Sequence, residues 1–237
     1  MSAFYTELAK YYDDLFPAGM AQVRLIAEKA GQPPGTVLDI ACGSGSYATR
    51  LQAMGYAVTA IDLDAEMIRQ MKAKDADIQA FQMNMLDIDI LPGSFDLIFC
   101  IGNSIVHLDS AADIERFLQS CRRKLNWQGS LILQTVNYDR IIAKGITELP
   151  TLTHDDKHLS LERHYRSSNI PGKIDFLTIL SVSGSVLENH VDLLPVTSKT
   201  LQTLLEAAGF TRVEFYGSFQ KDEFKPLESF HLVVVAE

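Results

Sequence analysis

The clearest chemical signal in the sequence is a pair of aspartates placed around a short glycine turn. The run Val37 to Ile40 is apolar except for Asp39, a carboxylate that is costly to bury unless it is hydrogen-bonded. The turn Gly43-Ser44-Gly45 follows, and Asp62 ends the next apolar run. Glycines let a ligand lie against the backbone, and a carboxylate at the end of a second strand is placed to accept both hydroxyls of a ribose. The pattern therefore predicts a site for a ligand that contains a nucleoside.

A second polar cluster follows the third apolar run. Asn84-Met85-Leu86-Asp87 ends a segment that begins at Ile78. An amide side chain and backbone N–H groups can recognise the edge of an adenine. Because ligands bind at the carboxyl ends of the strands in such sheets, we expect this segment to lie beside the same ligand as Asp62.

Alternating strands and helices must hold these residues. The pattern predicts strands at 36–41, 57–62, 78–84, 95–100 and 130–136, and helices at 45–54, 65–74 and 109–125. This alternation is typical of βαβ crossovers and of a mostly parallel sheet covered on both faces. Farther along, a helix at 198–208 with Ser198 as its N-cap is followed by strands at 212–216 and 231–236, of which the last is expected to be antiparallel.

Two segments lie outside this alternation. Residues 5–16 have apolar side chains at helical spacing and end before Pro17, and a second helix is predicted from Met20 to Ala30. We expect residues 1–32 to form a helical lid. Residues 137–195 combine a charged stretch at 151–166 with alternating runs at 173–182 and 185–193, which predicts an inserted antiparallel cap on the substrate side. Residues 1–237 are therefore expected to form a single domain.

Composition restricts the classes of function. Hydrophobic residues make up 47% of the 237 residues and charged residues 22%, which is typical of a globular chain. The formal net charge of -9 opposes a footprint for nucleic acid or for an anionic membrane. We find neither a secretory signal nor an apolar run that approaches the roughly 20 residues of a membrane span, so we expect a cytoplasmic protein. The 3 widely spaced cysteines predict reduced thiols and no metal site. The oligomeric state stays open.

Together the motifs resemble those of the class I S-adenosylmethionine-dependent methyltransferases over most of the chain. Leu38–Gly45 corresponds to the glycine motif of the family, and Ala60–Asp64 to its acidic motif. Residues 84–87 and 94–98 match the polar segment before the fourth strand and that strand itself, and Leu204–Phe210 matches the last helix and turn. The resemblance implies a Rossmann-like, doubly wound α/β fold with a seven-stranded, mostly parallel sheet, and S-adenosyl-L-methionine as the cofactor.

The resemblance also assigns roles at the expected cofactor site. The backbone at Gly43 and Gly45 is expected to contact the methionine moiety, with Asp39 near the ammonium group. Asp62 is expected to hold the ribose hydroxyls, and Leu63 to lie against the adenine face. The full set of expected cofactor-binding residues is Tyr11, Asp39, Ala41, Gly43, Gly45, Asp62, Leu63, Met67, Asn84, Met85, Leu86, Cys100 and Gly102.

Two further segments resemble those of glycine N-methyltransferase-like enzymes. They are Cys100–Leu108 and Asn137–Asp139. Those enzymes carry an arginine just before the second segment, where it binds the carboxylate of the amino acid, and here that position is Val136. An apolar side chain cannot pair with a carboxylate, so glycine itself is not the expected acceptor. Positive charge could come from Arg140, Arg163 or Arg166, between which the sequence does not decide.

Methyl transfer from a sulfonium is an in-line displacement, which needs alignment and exclusion of water rather than a catalytic triad. An amine or hydroxyl acceptor benefits from a group that removes its proton, and His107 is the predicted base. Asn103 is expected to orient a small-molecule acceptor, and Tyr12, with Tyr11, to close over the cofactor. The alternatives are a solvent-exposed His107 near a helix start and tyrosines that only pack the first helix.

Two other functions stay open at this point. A Gly-x-Gly turn with a later aspartate also fits a nicotinamide-dependent oxidoreductase, although Asp39 within the strand and the lack of a second mononucleotide half after Asn103 oppose it. A non-catalytic module that binds S-adenosylmethionine would keep the glycine loop without an acceptor pocket. Turnover with an acceptor separates this module from an enzyme.

Overall fold

A computed structural model describes residues 3–237, so Met1 and Ser2 of the expected lid lie outside the described residues. The strands are β1 (Thr36–Ile40), β2 (Ala57–Asp62), β3 (Gln79–Gln82), β4 (Phe95–Cys100), β5 (Leu125–Val136), β6 (Glu148–His154), β7 (Leu159–Ser167), β8 (Ile174–Val182), β9 (Ser185–Leu193), β10 (Val213–Tyr216) and β11 (His231–Ala236). The α-helices are α1 (Ala3–Lys10), α2 (Tyr12–Leu15), α3 (Met20–Ala30), α4 (Ser46–Ala53), α5 (Ala65–Lys74), α6 (Ala111–Lys124), α7 (Tyr138–Lys144) and α8 (Ser198–Ala207). Short 3₁₀ helices span Met85–Ile90, Ser104–His107 and Asp155–Lys157.

Seven strands form the main sheet in the order β10-β11-β5-β4-β1-β2-β3. Strands β1 to β5 pair in parallel, and β11 is antiparallel to both β5 and β10. Buried apolar side chains cover both faces of the sheet, as expected for crossovers that place helices on each side. The Rossmann-like fold and the antiparallel last strand are confirmed. The strand order reverses between β1 and β4, so the carboxyl ends of these two strands border the crevice where such sheets bind ligands.

The insertion contains a four-stranded antiparallel sheet in the order β6-β7-β8-β9, which we call the second sheet. The sequence predicted only the last two of these strands. Charged side chains on one face of β7, such as Glu162 and Arg166, conceal the apolar alternation of Leu159, Leu161 and Tyr165 on the other. The inserted segment also begins with helix α7, which was not predicted.

The N-terminal segment is two helices rather than one. The chain leaves helical geometry at Tyr11, where φ is -118° and ψ is 10°, and α2 starts at the next residue. Phe4, Leu8 and Leu15 bury their side chains against the second sheet, where they meet leucines of β7 and β8. The break thus lets one segment cover the second sheet while α2 reaches the end of β1.

The N-cap of helix α8 lies one residue before the predicted one. Thr197 is the N-cap, since its side chain accepts a hydrogen bond from the Thr200 backbone N–H at 3.2 Å. The prediction of Ser198 in this role was therefore wrong. Ser198 is the first helical residue, and its backbone N–H donates to the Asp139 carboxylate at 2.8 Å. This bond connects α8 to α7.

Candidate active site

The glycine loop, residues 41–45, leaves the carboxyl end of β1 through three left-handed positions. The φ angles are 57° at Ala41, 55° at Gly43 and 80° at Gly45, and Gly45 is the N-cap residue of α4. A non-glycine residue in this region costs about 1–3 kcal/mol, and such positions cluster at ligand sites. The loop therefore places the N-terminus of helix α4 at the switch point of the sheet.

Asp62 connects the end of β2 to the glycine loop. Its Oδ2 accepts a hydrogen bond from the Gly43 backbone N–H at 2.8 Å, and its Oδ1 accepts one from the Asp64 backbone N–H at 2.9 Å. Burial raises the pKa of this carboxyl, although both N–H bonds favour the ionised form. The carboxylate therefore lies at the crevice rather than in the apolar interior, and a ribose at this place remains a prediction.

Asp39 lies within β1, and its side chain is 2% exposed. The Oδ2 atom is buried without a hydrogen-bond partner. Burial, followed by the charge of Asp62, raises the pKa of Asp39 well above its ordinary value. A buried carboxylate oxygen without a donor is costly, and a cationic group in the adjoining cavity would stabilise it.

The residues predicted to contact adenine lie at the ends of β2 and β3. Leu63 is 68% exposed, which leaves its side chain available as an apolar platform. The Asn84 side chain accepts a hydrogen bond from the Leu86 backbone N–H at 2.9 Å and caps the 3₁₀ helix that follows. Met85 and Leu86 pack against the core, and Met67 is 5% exposed. The contact of these residues with adenine stays a prediction.

Helix α2 lies over the glycine loop. The Tyr12 ring packs against Gly43, so that a Cβ at Gly43 would lie 3.1 Å from the Tyr12 hydroxyl oxygen. Burial, together with the charge of Asp62, raises the pKa of the Tyr12 phenol. The Asp13 carboxylate accepts hydrogen bonds from Ser44, from Lys74 and, at 2.6 Å, from the Ser46 hydroxyl. These bonds fasten α2 to the loop.

The next residue fastens the same helix to the insertion. Asp14 accepts a hydrogen bond from Lys157 Nζ at 2.6 Å, and its carboxylate lies 3.9 Å from His154 Nε2. Tyr11 is partly buried in the same apolar cluster as Tyr12, but only Tyr12 contributes to the wall of the cavity described below. Helix α2 therefore bridges the glycine loop and the insertion.

The segment after β4 carries the predicted acceptor-side residues. Asn103, with φ at 70°, accepts a hydrogen bond from the Val136 backbone N–H at 3.1 Å and donates to the Tyr138 hydroxyl at 3.2 Å. The two bonds tie this segment to the end of β5 and to the start of α7. His107 lines the cavity but keeps an exposed side chain, as in the alternative considered from the sequence. Partial desolvation by the surrounding atoms lowers the pKa of its imidazole, which favours the neutral form that can accept a proton. Cys100 is 1% exposed, within the core.

One cavity of about 600 Å³ joins the glycine loop to the inner face of the second sheet. It brings together predicted residues from the loop, from α2 and from the segment after β4: Tyr12, Asp39, Ala41, Gly102, Asn103 and His107. Asp62, Leu63, Asn84 and Met85 do not line it, so the expected adenosine end lies outside this cavity.

Several cavity residues were not predicted as site residues. They are Gln134 and Val136 from β5, Arg163, Phe176 and Thr178 from the second sheet, and Phe230 and His231 at the start of β11. The antiparallel pairing of His231 with Val136 places the start of β11 at the carboxyl edge of the parallel strands. The sequence alone does not indicate that β11 pairs with β5, so these cavity residues could not be predicted from it.

Among residues 3–237, the structure has no helix suited to crossing a membrane and no cluster of three or more side chains able to hold a metal ion.

Comparison with known proteins identifies the class that this fold and site define. Residues 37–129 match the family model described as a methyltransferase domain. The CcbJ methyltransferase of Streptomyces caelestis superposes with a TM-score of 0.82 at 18% identity, over 97% of this chain and 95% of that one. CalS10 of Micromonospora echinaspora, an amino pentose methyltransferase solved with S-adenosylmethionine bound, superposes with a TM-score of 0.63 at 16% identity, over 99% and 92% of the two chains.

Two curated proteins with similar sequences are named as N-methyltransferases. The glycine/sarcosine N-methyltransferase of Aphanothece halophytica is 26% identical over 204 residues, which cover 84% of this chain and 74% of that protein. The glycine/sarcosine/dimethylglycine N-methyltransferase of Actinopolyspora halophila is 25% identical over 199 residues, and the match covers 78% of this chain but only 33% of that longer protein. Residues 37–129 therefore form a methyltransferase domain, and the chain is similar over most of its length to class I S-adenosylmethionine-dependent methyltransferases, with S-adenosylmethionine as the cofactor.

Proposed function

We propose that this methyltransferase methylates a nitrogen or oxygen atom of a small molecule, and that nitrogen is the preferred acceptor. The observation that carries the proposal is the cavity, because it extends from the glycine loop to His107 and to the second sheet. A cavity of this size suits a small acceptor, whereas a nucleic acid needs a basic surface. The chain instead carries a net charge of -9.

The residues present fit the cofactor at its amino acid end. Asp39 Oδ2 is buried without a partner, and this carboxylate is a suitable counter-ion for the ammonium group of the methionine moiety. The left-handed turn at Gly43 and Gly45 carries no side chains at these positions, which would let a ligand approach the backbone closely. Asp62 and Leu63 would hold the ribose and adenine, on the far side of the loop from the cavity.

The cofactor supplies an activated methyl group when it is bound, and the chain supplies alignment. His107 lines the cavity, and its lowered pKa favours the neutral imidazole, which could accept the proton that an amine or hydroxyl loses when its lone pair attacks. Asn103 holds the segment that carries His107 against the end of β5. Apolar side chains of the second sheet, together with α2 as a lid, would exclude water from the reacting atoms.

A nitrogen acceptor is favoured by the names of the curated relatives. The proteins from Aphanothece halophytica and Actinopolyspora halophila are both named as N-methyltransferases of glycine and sarcosine. The apolar Val136 at the expected carboxylate-binding position argues against glycine as the acceptor here. We therefore propose an amine other than glycine.

The test is a screen of amines and alcohols for release of S-adenosylhomocysteine. Before the screen, the shift in melting temperature is compared for S-adenosylhomocysteine and NADH, since a ligand stabilises only the protein that binds it. The proposal expects a shift with the first compound alone and turnover with at least one amine. Binding without turnover across the screen would instead support a non-catalytic binding module, and turnover with alcohols alone would overturn the preference for nitrogen.

A further inference from the structure

Arg163 is the one arginine of the three named in the sequence analysis that lines the cavity. The Arg140 guanidinium instead lies over the Phe230 ring, with its central carbon 5.8 Å from the ring centroid. Arg166 is exposed and does not line the cavity. Of the three arginines that the sequence left as alternatives, only Arg163 is therefore placed to bind a ligand in the cavity.

Arg163 belongs to a row of residues that are paired across the four strands of the second sheet. Three of the four residues in this row are polar, and the rows on either side of it are apolar. In the pairing register, Leu149, Arg163, Thr178 and Asn189 lie side by side across β6 to β9. The row of Leu161 and Leu180 lies on one side, and the row of Tyr165, Phe176 and Val191 on the other. A guanidinium between apolar rows is costly to desolvate unless an anion or hydrogen-bond acceptors compensate it.

The guanidinium is held in place but is not neutralised. Nη2 donates a hydrogen bond to the Pro150 carbonyl oxygen at 2.7 Å, and Nε is enclosed without a partner. Within residues 3–237, no carboxylate forms an ion pair with Arg163. Burial lowers the pKa of Arg163 from its ordinary value, but the group stays charged at neutral pH.

A histidine beside Arg163 is fixed as a hydrogen-bond donor. The Gly102 backbone N–H donates to Gln134 Oε1 at 2.7 Å, which leaves the Gln134 amide nitrogen to donate to His231 Nδ1 at 3.2 Å. With Nδ1 as acceptor, the neutral ring carries its proton on Nε2. Burial, followed by the charge of Arg163, lowers the pKa of His231 and keeps the ring neutral.

We propose that Arg163 and His231 bind a carboxylate of the methyl acceptor, so that the substrate class is that of amino acids or other amines with a carboxylate. The proposal rests on the proposed function. A carboxylate carries one negative charge, which one guanidinium balances in a planar fork. A phosphate dianion would leave excess negative charge in a cavity whose other charged wall residue is Asp39.

This arrangement supplies from the second sheet the charge that the chain lacks at Val136. Arg163 belongs to β7 of the second sheet, whereas Val136 ends β5 of the main sheet, and both line the same cavity. A carboxylate bound by Arg163 therefore approaches the reacting centre from a different wall. The acceptor is then selected by the second sheet and not by the end of β5.

The test uses matched acceptors in the full chain with saturating S-adenosylmethionine. Glycine, sarcosine, β-alanine and γ-aminobutyrate are compared with their carboxamides for kcat and KM, and benzoate and inorganic phosphate are compared as inhibitors. The variants are R163Q, R163K and H231Q, with Arg166→Gln as the matched control outside the cavity. Thermal unfolding and the affinity for S-adenosylhomocysteine are measured for every variant.

The proposal expects the wild-type protein to prefer at least one carboxylate over its carboxamide and benzoate over phosphate. R163Q should raise KM for that carboxylate about 10- to 100-fold, as expected for the loss of a charged hydrogen bond. The kcat, the KM for carboxamides and the affinity for S-adenosylhomocysteine should not change. R163K should recover part of the loss, and R166Q should match the wild type.

Two results would overturn the proposal while leaving the methyltransferase function intact. One is a wild-type protein that uses or binds carboxamides and phosphate as well as carboxylates, or that responds to no carboxylate of the panel. The other is an R163Q variant, folded and able to bind S-adenosylhomocysteine, that keeps the wild-type preference for carboxylates. Failure of the wild-type protein to bind S-adenosylhomocysteine would count against the proposed function itself.

Discussion

Tyr12 Cε1 lies 2.8 Å from the position that a Cβ atom would occupy at Gly43, so the aromatic ring rests directly on the glycine loop. No hydrogen bond of the Tyr12 hydroxyl is present among residues 3–237. The contact is therefore one of packing. It places an aromatic side chain over the backbone that is expected to receive the cofactor.

Replacing Tyr12 tests whether this ring covers bound cofactor. Because the contact is apolar, Y12F should bind S-adenosylhomocysteine like the wild type, whereas Y12A should bind it about 10-fold or more weakly, as expected for the loss of roughly 1.5–3 kcal/mol of aromatic burial. Calorimetric titration gives both affinities. An equal loss in the two variants would assign the role to the hydroxyl, and no loss in either would remove Tyr12 from the site.

Gly45 is required by its backbone geometry and by its neighbour. Its φ is 80°, and a Cβ at this position would overlap the Met71 side chain. Gly93 provides a matched control, because its φ is 72° and a Cβ there would meet nothing within 4 Å. We expect G93A to lower the free energy of unfolding by about 1–2 kcal/mol and G45A by about 1–3 kcal/mol more. Urea unfolding measures both, and equal losses would contradict the predicted overlap.

Asp39 should make the ligand-free protein less stable as pH rises. Burial raises its pKa in the folded state, so the folded protein keeps this proton at pH values where the unfolded chain, with a pKa near 3.9, has released it. The stabilising difference is complete below the unfolded pKa and is lost as pH rises toward the folded pKa. D39N has no proton to release and should lack this slope.

The measurement is urea unfolding of D39N and the wild type from about pH 4 to about pH 8, a range set by the ordinary carboxyl pKa. Asp77→Asn, an exposed substitution, should keep the wild-type slope. D39N should also bind S-adenosylmethionine about 10- to 100-fold more weakly, since an uncharged amide cannot serve as the counter-ion of an ammonium group. Parallel pH profiles for D39N and the wild type would refute the assignment.

His107 should control the pH dependence of turnover. Since partial desolvation in the cavity wall lowers the pKa of His107, kcat/KM should rise with pH and level off above a pKa lower than the 6.5 of a free imidazole. H107Q should abolish this rise of kcat/KM with pH. It should also reduce kcat by about 10²- to 10⁴-fold, the range for loss of a general base. The acceptor found in the screen serves as substrate, and the exposed His158→Gln provides the control. An H107Q variant with the wild-type profile would exclude His107 as the base.

The main sheet could be predicted closely because its strands are short apolar runs that end in turn residues. Asp62 and Cys100 end β2 and β4 at the predicted residues, and the break at the glycine loop is visible as Gly43-Ser44-Gly45. Such runs are buried on both faces, so periodicity and composition agree. The family resemblance then placed the cofactor residues at this edge.

The second sheet could not be predicted with the same success because one of its faces is charged. Glu162 and Arg166 interrupt the pattern of β7, and nothing local indicates that Arg163 points into a cavity. The bond between Asn103 and Val136 joins residues far apart in the chain. The roles of Gln134 and His231 likewise follow from an antiparallel pairing that single-sequence patterns do not encode.

Two consecutive carboxylates fasten helix α2 to separate parts of the molecule. Asp13 binds the glycine loop and Lys74, and Asp14 binds Lys157 of the insertion. We expect that release of a cofactor covered by Tyr12 requires α2 to lift from the glycine loop, which breaks these ion pairs between solvent-accessible partners. Dissolved ions weaken such pairs. The speed with which spent cofactor leaves should therefore increase with ionic strength, and with it the maximal rate wherever departure of the product is the slowest event.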